Sequence, residues 1–200
     1  MPTTLTRSLL VNLIPATVAS SPWLLFLFLY FGDKQEAYNN YTIIINIICF
    51  CFVATLGTIF ECISTRTEIK WDKEREGKYD VIDNWFYYLS VLLPKNEPVG
   101  FRYISGRVTV MYFELAMRWA SIIFCVGLIV VIDFNNIVFE YKFILVNCDI
   151  LSAALLLIAV GLCYVFHNSA KAMHEVLCEA RKKINEQIKA QIKELQPTAT

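Results

Sequence analysis

The sequence has few charged residues, and they show no excess of either sign. Of its 200 residues 18% are charged, with 18 basic and 18 acidic side chains, whereas soluble domains carry about 25%. A balanced charge excludes the basic surface through which proteins grip phosphates, so we expect no direct binding of nucleic acid. The hydrophobic share is 56%, and so many apolar side chains need a solvent other than water.

The sequence also lacks the motifs that carry most enzyme chemistry. It contains no CxxC, GxSxG or HExxH and no phosphate-cradling glycine loop. Its two histidines, His167 and His174, lie near Cys178 on one C-terminal segment, but their spacing matches no metal signature. We therefore expect no enzyme, no catalytic residue, no metal site and no cofactor. Most of the seven cysteines fall in or beside hydrophobic blocks, which favours reduced thiols that fill helix contacts.

Four hydrophobic blocks are long enough to cross a hydrocarbon layer about 30 Å thick. They span residues 13–31, 42–63, 108–132 and 143–166. We predict an all-α polytopic membrane protein with four transmembrane helices in two hairpins, 1–63 and 108–166. The first block contains Pro15 and Pro22 and lacks a small-x-small cleavage site, so it is interpreted as a retained helix rather than a signal peptide. Pro22 should bend this helix or end a separate short N-terminal segment.

The basic residues predict the orientation of these helices. One Lys or Arg precedes the first block, eight lie between the second and third blocks, and six follow the fourth. Only two lie in the other two loops. The positive-inside rule therefore places both termini and the central loop on the cytoplasmic side of a plasma (inner) membrane.

The central loop, 64–107, is expected to form two helical pieces. Residues 70–76 are dense in charge and should continue the second helix out of the bilayer, with Gly77 ending it. Residues 80–93 carry apolar side chains at three- and four-residue spacing, which predicts an amphipathic helix with Asp80 as its cap. Its aromatic face suggests an interfacial site made of Trp85, Phe86, Tyr88 and Leu89. This helix either packs under its own bundle, senses the membrane surface or docks a partner.

The C-terminal tail, 167–200, continues the helical pattern of the fourth block without glycine or proline until Pro197. The two together predict one helix of about 50 residues. An apolar seam along the tail consists of Leu177, Ile184, Ile188, Ile192 and Leu195. We favour self-association through this seam over contact with the central loop or with a cytoplasmic partner.

Polar side chains at membrane depth are costly unless they find a partner or water. Glu114 and Arg118 lie four residues apart, which predicts an intrahelical pair that lowers the cost of insertion. Alternatively, several copies could converge on this pair to line a pore, or the pair could change partners when the membrane is disturbed. The other intramembrane polar residues are Asn46, Asn147 and Asp149. We expect Asp149 to meet water or Asn46.

Small residues in the third and fourth blocks should let helices approach closely. Gly127 lies in the third block, and Gly161 follows Ala153 and Ala154 in the fourth. Membrane helices prefer such residues where their backbones cross.

The layout of about 200 residues, four membrane helices, Glu114-x-x-x-Arg118 and the 80–93 helix resembles KwaA, the membrane subunit of the bacterial Kiwa antiphage system. The resemblance spans the whole chain. It implies a homo-oligomer, such as a tetramer, in the inner membrane that responds to phage attachment. It also implies a soluble cytoplasmic effector that binds this membrane subunit and engages DNA.

The resulting hypothesis is a non-enzymatic, oligomeric four-helix scaffold in the inner membrane. It senses membrane disturbance and anchors or regulates a cytoplasmic effector, with a role in antiviral defence. The first alternative is a pore-forming effector that conducts ions as an oligomer. The second is an immunity protein against a toxin that inserts into membranes.

Overall fold

The computed structural model describes residues 9–30, 35–87, 101–139 and 148–195. Within these ranges the chain is all-α. A π-helical segment, Leu9–Leu13, leads into α1. The five α-helices are α1 Ile14–Tyr30, α2 Gln35–Tyr79, α3 Val81–Tyr87, α4 Phe101–Phe139 and α5 Cys148–Leu195. The predicted helical class is confirmed.

Four helical stretches are long and apolar enough to cross a membrane. They are Leu9–Tyr30, Tyr41–Tyr79, Tyr103–Asp133 and Asp149–Ala190. The chain is a multi-pass membrane protein, as the four hydrophobic blocks predict. The fourth helix begins at Cys148, whereas the fourth block begins at residue 143, and residues 143–147 lie outside the described part of the chain.

Two of these stretches are about twice as long as the hydrocarbon core of a bilayer requires. The stretches of 39 and 42 residues measure about 58 and about 63 Å at 1.5 Å per residue, against a hydrocarbon core of about 30 Å. Their charged ends, 64–79 of α2 and 167–195 of α5, must therefore project from the membrane. We call these two segments the stalk. Both lie on the same side, because Trp71 and Leu177 share one hydrophobic cluster with Val11 near the start of the first span.

The predicted continuous helix through the fourth block and the tail is present. α5 runs without interruption over 48 residues, about 72 Å. Because no glycine or proline interrupts residues 167–195, nothing local ends the helix at the membrane edge. The tail is therefore rigidly continuous with a membrane helix.

The third membrane helix, α4, lies at the centre of the packing. In the apolar part it meets α1 and α2 through small side chains and one large ring, a cluster of Ala16, Ala19, Phe60, Ala116 and Ala120. Towards the stalk it meets α2 and α5 through larger side chains, a cluster of Val11, Trp71, Ile104, Met111, Tyr112, Leu115, Ala170 and Leu177. Small residues let the helices approach closely, as membrane packing favours.

The π-helical segment is fixed to α2 by a close backbone contact. A Cβ added at Gly57 would lie 2.8 Å from the backbone oxygen of Asn12, so this position has no room for a side chain. One turn further along α2, Glu61 Oε2 accepts a 2.8 Å hydrogen bond from Asn12 Nδ2. Glu61 thus has a partner that sequence reasoning did not assign.

Pro22 does not end the first helix. α1 runs through it to Tyr30, and the short N-terminal segment ends at Leu13 instead. Ser21 Oγ donates a 2.9 Å hydrogen bond to the carbonyl of Val18, the acceptor that Pro22 leaves without its helical N–H. Serine hydroxyls of this kind help to satisfy backbone groups around a proline inside a membrane helix.

The predicted end of the second helix at Gly77 is wrong. α2 continues to Tyr79, and Asp80, with φ of 47°, adopts the left-handed conformation that ends helices. Aspartate tolerates this conformation better than most residues, and its N–H donates a 2.8 Å bond to the Glu76 carbonyl. Gly77, by contrast, has open space where a Cβ would point, so the helix passes through it at only a propensity cost.

The short helix α3 covers the described part of the predicted amphipathic helix. Its side-chain cap is Glu76 rather than Asp80, since Glu76 Oε2 accepts a 3.0 Å bond from the Ile82 N–H. The Asp80 carbonyl contributes by accepting a 2.9 Å bond from the Asn84 N–H. Residues 88–93 lie outside the described ranges.

Gly127 confirms the expected close approach of a third-block glycine, and it does so against α1. A Cβ at Gly127 would lie 2.8 Å from Trp23 Nε1 and 2.9 Å from Pro22 Cβ. The same indole N–H donates a 3.3 Å bond to the Ile123 carbonyl. Gly161, in contrast, has nothing within 4 Å of such a Cβ, so it makes no close helix contact within the described chain.

We expect Gly127→Ala to lower the free energy of unfolding by about 1–3 kcal/mol relative to Gly161→Ala, because only the first methyl group overpacks a contact. Both changes raise helix propensity equally, so their difference isolates packing. Thermal unfolding of the full chain in detergent measures it. Equal melting temperatures for the two variants would contradict the α1–α4 contact.

Candidate functional site: a polar junction between the membrane helices and the stalk

The two charged residues inside α4 contact α5 rather than each other. Glu114 Oε1 accepts a 2.7 Å hydrogen bond from Ser169 Oγ, and Arg118 Nη1 lies 3.0 Å from His167 Nδ1. No ion pair joins Glu114 to Arg118 among the described residues, so the predicted intrahelical pair is wrong. The antiparallel packing of α4 on α5 brings these alternative partners within reach.

Each of the two charged residues keeps one buried polar atom that makes no hydrogen bond to the described residues. Glu114 Oε2 and Arg118 Nε are buried and have no hydrogen-bond partner in the described part of the chain. Since the Arg118 guanidinium can only donate, His167 Nδ1 must accept, which makes this imidazole neutral with its proton on Nε2. The guanidinium also lies 5.2 Å from the Trp119 ring centroid, a cation–π distance.

Trp71 of α2 links the two histidines of α5. Its ring centroid lies 5.4 Å from that of His167 and 5.6 Å from that of His174, and the indole is 4% exposed. Glu68, one turn earlier on α2, accepts a hydrogen bond from the Tyr112 hydroxyl of α4. All three long helices therefore meet at this level.

Below Trp71, His174 bridges an acid and a base of α2. His174 Nε2 lies 2.8 Å from Asp72 Oδ1, and Arg75 Nη1 donates to His174 Nδ1. This pairing again requires a neutral imidazole, protonated on the nitrogen that faces the carboxylate. His174 is 1% exposed, so both of its ring nitrogens need the partners that α2 supplies.

Arg75 has two further acceptors on α5. Its Nη2 donates a 3.0 Å bond to the Lys171 carbonyl and lies 3.9 Å from Glu175 Oε2. Glu175 Oε1 also accepts from Lys78 Nζ at 3.1 Å and from the Tyr79 hydroxyl at 3.2 Å. The hydrogen bond from Lys78 lowers the pKa of the Glu175 carboxyl. The Lys78–Glu175 ion pair is exposed to water and contributes little stability by itself.

The ligand atoms of Asp72, His174 and Cys178 lie within 4.8 Å of one another, which is the spacing of a candidate metal site. The sequence suggested a different trio, because it grouped His167 with His174 and Cys178. The structure instead places His167 at Arg118 and brings Asp72 in from α2. Residues far apart in sequence form the cluster, so the spacing along α5 alone could not reveal it.

Cys178 is a buried thiol. Its side chain lies in a small apolar cluster with Tyr79 and Val81, and burial raises the pKa of the thiol to about 11. The group is therefore protonated and weakly nucleophilic at neutral pH.

Asparagine side chains hold α3 against the stalk. Asn185 Nδ2 donates to the Asn84 carbonyl at 2.7 Å and to Asn84 Oδ1 at 3.0 Å, and Asn84 Nδ2 donates to the Tyr79 carbonyl at 2.6 Å. The Lys189 ammonium adds a 5.0 Å contact with the Tyr87 ring. Of the three predicted roles of the amphipathic helix, packing on its own chain is the one seen for Val81–Tyr87.

The predicted interfacial site falls on side chains outside the described part of the chain. The side chains of Trp85 and Phe86 are outside the described part of the chain, as are Tyr88 and Leu89 entirely. Asn147 is also outside it. Asn46 and Asp149 are both exposed, and no hydrogen bond joins them among the residues that the structure describes.

The tail seam is covered, at least at its start, by the chain itself. Leu177 is 1% exposed in the cluster around Trp71, and Ile184 packs against the same cluster. Leu177 is therefore buried within its own chain, whereas Ile184 is only half-buried. Self-association through the rest of the seam stays a prediction. Ile188 is half-buried, and the side chains of Ile192 and Leu195 are outside the described part.

Sequence reasoning missed the contribution of α2 to this junction. Glu68, Asp72, Arg75 and Tyr79 recur at spacings of four, three and four residues, which places them on one helical face. That spacing, with Trp71 inside an otherwise charged stretch, was the available signal. It indicates a face that is buried against another helix rather than a fully solvated stalk.

No protein-family model, no curated protein and no solved structure matches this chain. The arrangement must therefore be interpreted from its own chemistry.

We expect Leu177→Ala to lower the free energy of unfolding by about 2–5 kcal/mol, because it opens a cavity in the cluster around Trp71. Val176→Ala, at a neighbouring position that is 45% exposed, is the matched control and should change stability little. Thermal unfolding in detergent gives the comparison. A Leu177→Ala variant that dissociates from other copies at unchanged stability would restore the self-association seam.

We expect Cys178 to resist alkylation by iodoacetamide at about pH 8, because its raised pKa keeps the thiol protonated until the pH approaches that value. Mass spectrometry of the peptide that contains Cys178 measures the modified fraction. The same peptide should react fully after the chain is unfolded, which controls for the reagent. Rapid modification in the folded protein would contradict the burial of this thiol.

Proposed function

We propose that this protein is a membrane-embedded sensor and scaffold that couples the state of the bilayer to a stalk on its cytoplasmic side. In this proposal the stalk anchors or restrains a soluble effector protein, and the protein itself performs no catalysis. The distribution of Lys and Arg supports the cytoplasmic placement of both termini in the inner membrane.

One observation carries the proposal: Glu114 and Arg118, within the membrane-length helix α4, contact Ser169 and His167 at the start of the α5 stalk segment. From there α5 continues as one helix to Leu195. A displacement of α4 that broke these contacts would act where the stalk segment of this continuous helix begins. Polar contacts that are partly buried between helices have few alternative partners, which favours discrete arrangements of this element.

The second stalk helix is joined to the same point. Trp71 of α2 packs against His167, which contacts Arg118, and also against His174 lower in the stalk. Movement of α4 would therefore reach α2 as well as α5. This continuity supports transmission to both stalk helices, which is what a scaffold for a soluble partner requires.

The layout resemblance to the Kiwa membrane subunit favours an antiphage role for this sensor. By that proposal the protein is a homo-oligomer, and the stimulus is the disturbance of the inner membrane that accompanies phage attachment. An immunity protein against a membrane-inserting toxin is the less favoured reading, and co-purification with such a toxin would support it.

A pore-forming oligomer is the second candidate function, and exposed polar groups favour it. Asn46 lies on the exposed face of α2 among exposed isoleucines, and Asp149 is exposed at the start of α5. Several copies could turn such groups towards a shared lumen. Ion flux through liposomes that contain the purified chain distinguishes a pore from the proposed scaffold, for which no conduction is expected.

We expect Glu114→Gln to leave insertion and folding intact while abolishing the response of the stalk to membrane disturbance, because the variant removes the charge that α4 presents to α5. The measurement is the amount of soluble partner that co-purifies in mild detergent before and after the membrane potential is dissipated. Glu61→Gln is the matched control, since Glu61 bonds to Asn12 instead of to α5. An unchanged response in Glu114→Gln would rule out this mechanism.

The orientation has its own test. An amine reagent that cannot cross membranes should leave Lys182 and Lys183 unmodified in intact cells and should modify both after lysis, because the positive-inside rule places the stalk in the cytoplasm. Mass spectrometry of the α5 peptides provides the readout. Labelling of these lysines in intact cells would place the stalk outside and overturn the proposed anchoring of a cytoplasmic partner.

A further inference from the structure

We propose that His174 and Cys178 chelate a borderline or soft metal ion such as Zn²⁺, with Asp72 holding the imidazole and the Arg75 guanidinium giving up its place. The proposal stands apart from the sensor function and does not depend on it. It also revises the sequence-based expectation of no metal site, which considered His167 and not Asp72.

The spacing of the two ligand atoms fits tetrahedral coordination. His174 Nδ1 and Cys178 Sγ lie 3.7 Å apart on successive turns of α5. Zinc–sulfur and zinc–nitrogen bonds of about 2.3 and about 2.0–2.1 Å, at a tetrahedral angle, place the two atoms about 3.6 Å apart. The two side chains can therefore bind one ion without a change in the helix. Water completes the coordination shell.

Asp72 stands where metal sites usually have an orienting carboxylate. Its Oδ1 lies 2.8 Å from His174 Nε2, so the imidazole proton resides on Nε2 and Nδ1, 3.7 Å from Cys178 Sγ, keeps a lone pair. Histidine ligands commonly donate their second N–H to a carboxylate in this way. Because Asp72 belongs to α2, the metal site would include both stalk helices.

In the metal-free protein Arg75 donates to the Nδ1 lone pair of His174. Other acceptors for the Arg75 guanidinium lie nearby on α5. The Lys171 carbonyl already accepts a bond from its Nη2, and the Glu175 carboxylate lies 3.9 Å away. Binding of Zn²⁺ with loss of the Cys178 proton raises the local charge by one. The carboxylates of Asp72 and Glu175 lie beside the site and offset part of this added charge.

The binding step is a simple exchange. The Cys178 S–H bond breaks, its proton passes to solvent, and a metal–sulfur bond forms with no change of oxidation state. His174 gives its Nδ1 lone pair to the ion in place of the Arg75 N–H. Arg75 is thus a competitor for the site, a role that a merely structural guanidinium would not have.

The test titrates Co²⁺, and then Zn²⁺ in competition, into the full chain in detergent after treatment with a chelator. We expect a thiolate-to-cobalt charge-transfer band that Zn²⁺ abolishes. Cys178→Ser should lose the band completely, and Asp72→Asn should weaken binding by about 10–100-fold. Arg75→Gln should tighten binding severalfold, because it removes the competing cation.

Two control variants separate this site from other donors. Cys163→Ser, in the apolar part of α5, and His167→Gln, at the Arg118 contact, should both retain the band. Circular dichroism and the melting temperature confirm that each variant is folded. A wild-type chain without the band, a band that persists in Cys178→Ser, or unchanged or weaker binding in Arg75→Gln would each overturn the proposal.

Discussion

A guanidinium within a membrane-length apolar helix must find a polar partner, and in this structure the partner is the start of the stalk. Arg118 meets His167 of α5, and one turn away on α4 Glu114 meets Ser169. Lipid tails offer no substitute for these partners. These two contacts join α4 to α5 at the point where the stalk begins, and so they constrain the rotation of one helix against the other.

Beneath this contact the stalk combines apolar burial with polar pairing. Trp71, Met111 and Leu177 form the centre of the apolar cluster, which supplies most of the stabilisation because the surrounding solvent is water. The polar array of Asp72, Arg75 and His174 then determines the register of α2 against α5, since each buried donor must meet its acceptor. Hydrophobic packing alone would permit several such registers.

The apolar halves of α2 and α5, away from the stalk, are packed differently. Large apolar side chains such as Ile43, Phe50 and Leu157 are 77%, 64% and 75% exposed on the single chain. At this depth such exposure suits lipid tails, which are as apolar as the side chains themselves, so packing between helices is not driven by hydrophobicity there. The protein is therefore compactly packed around α4 and the stalk, and loosely packed where lipid can take the place of protein.

Hydropathy and the absence of helix breakers are local properties, so the amino-acid sequence predicts the four apolar helices, the unbroken length of α5 and the projection of its tail. The sequence does not predict the end of α2 correctly, because Asp80 rather than Gly77 adopts the left-handed conformation. The partners of Arg118, His174 and Leu177, in contrast, depend on how the helices pack against one another. Each of these residues has several candidate partners in the sequence. The relative rotation of the packed helices, which no local pattern encodes, determines which of them it contacts.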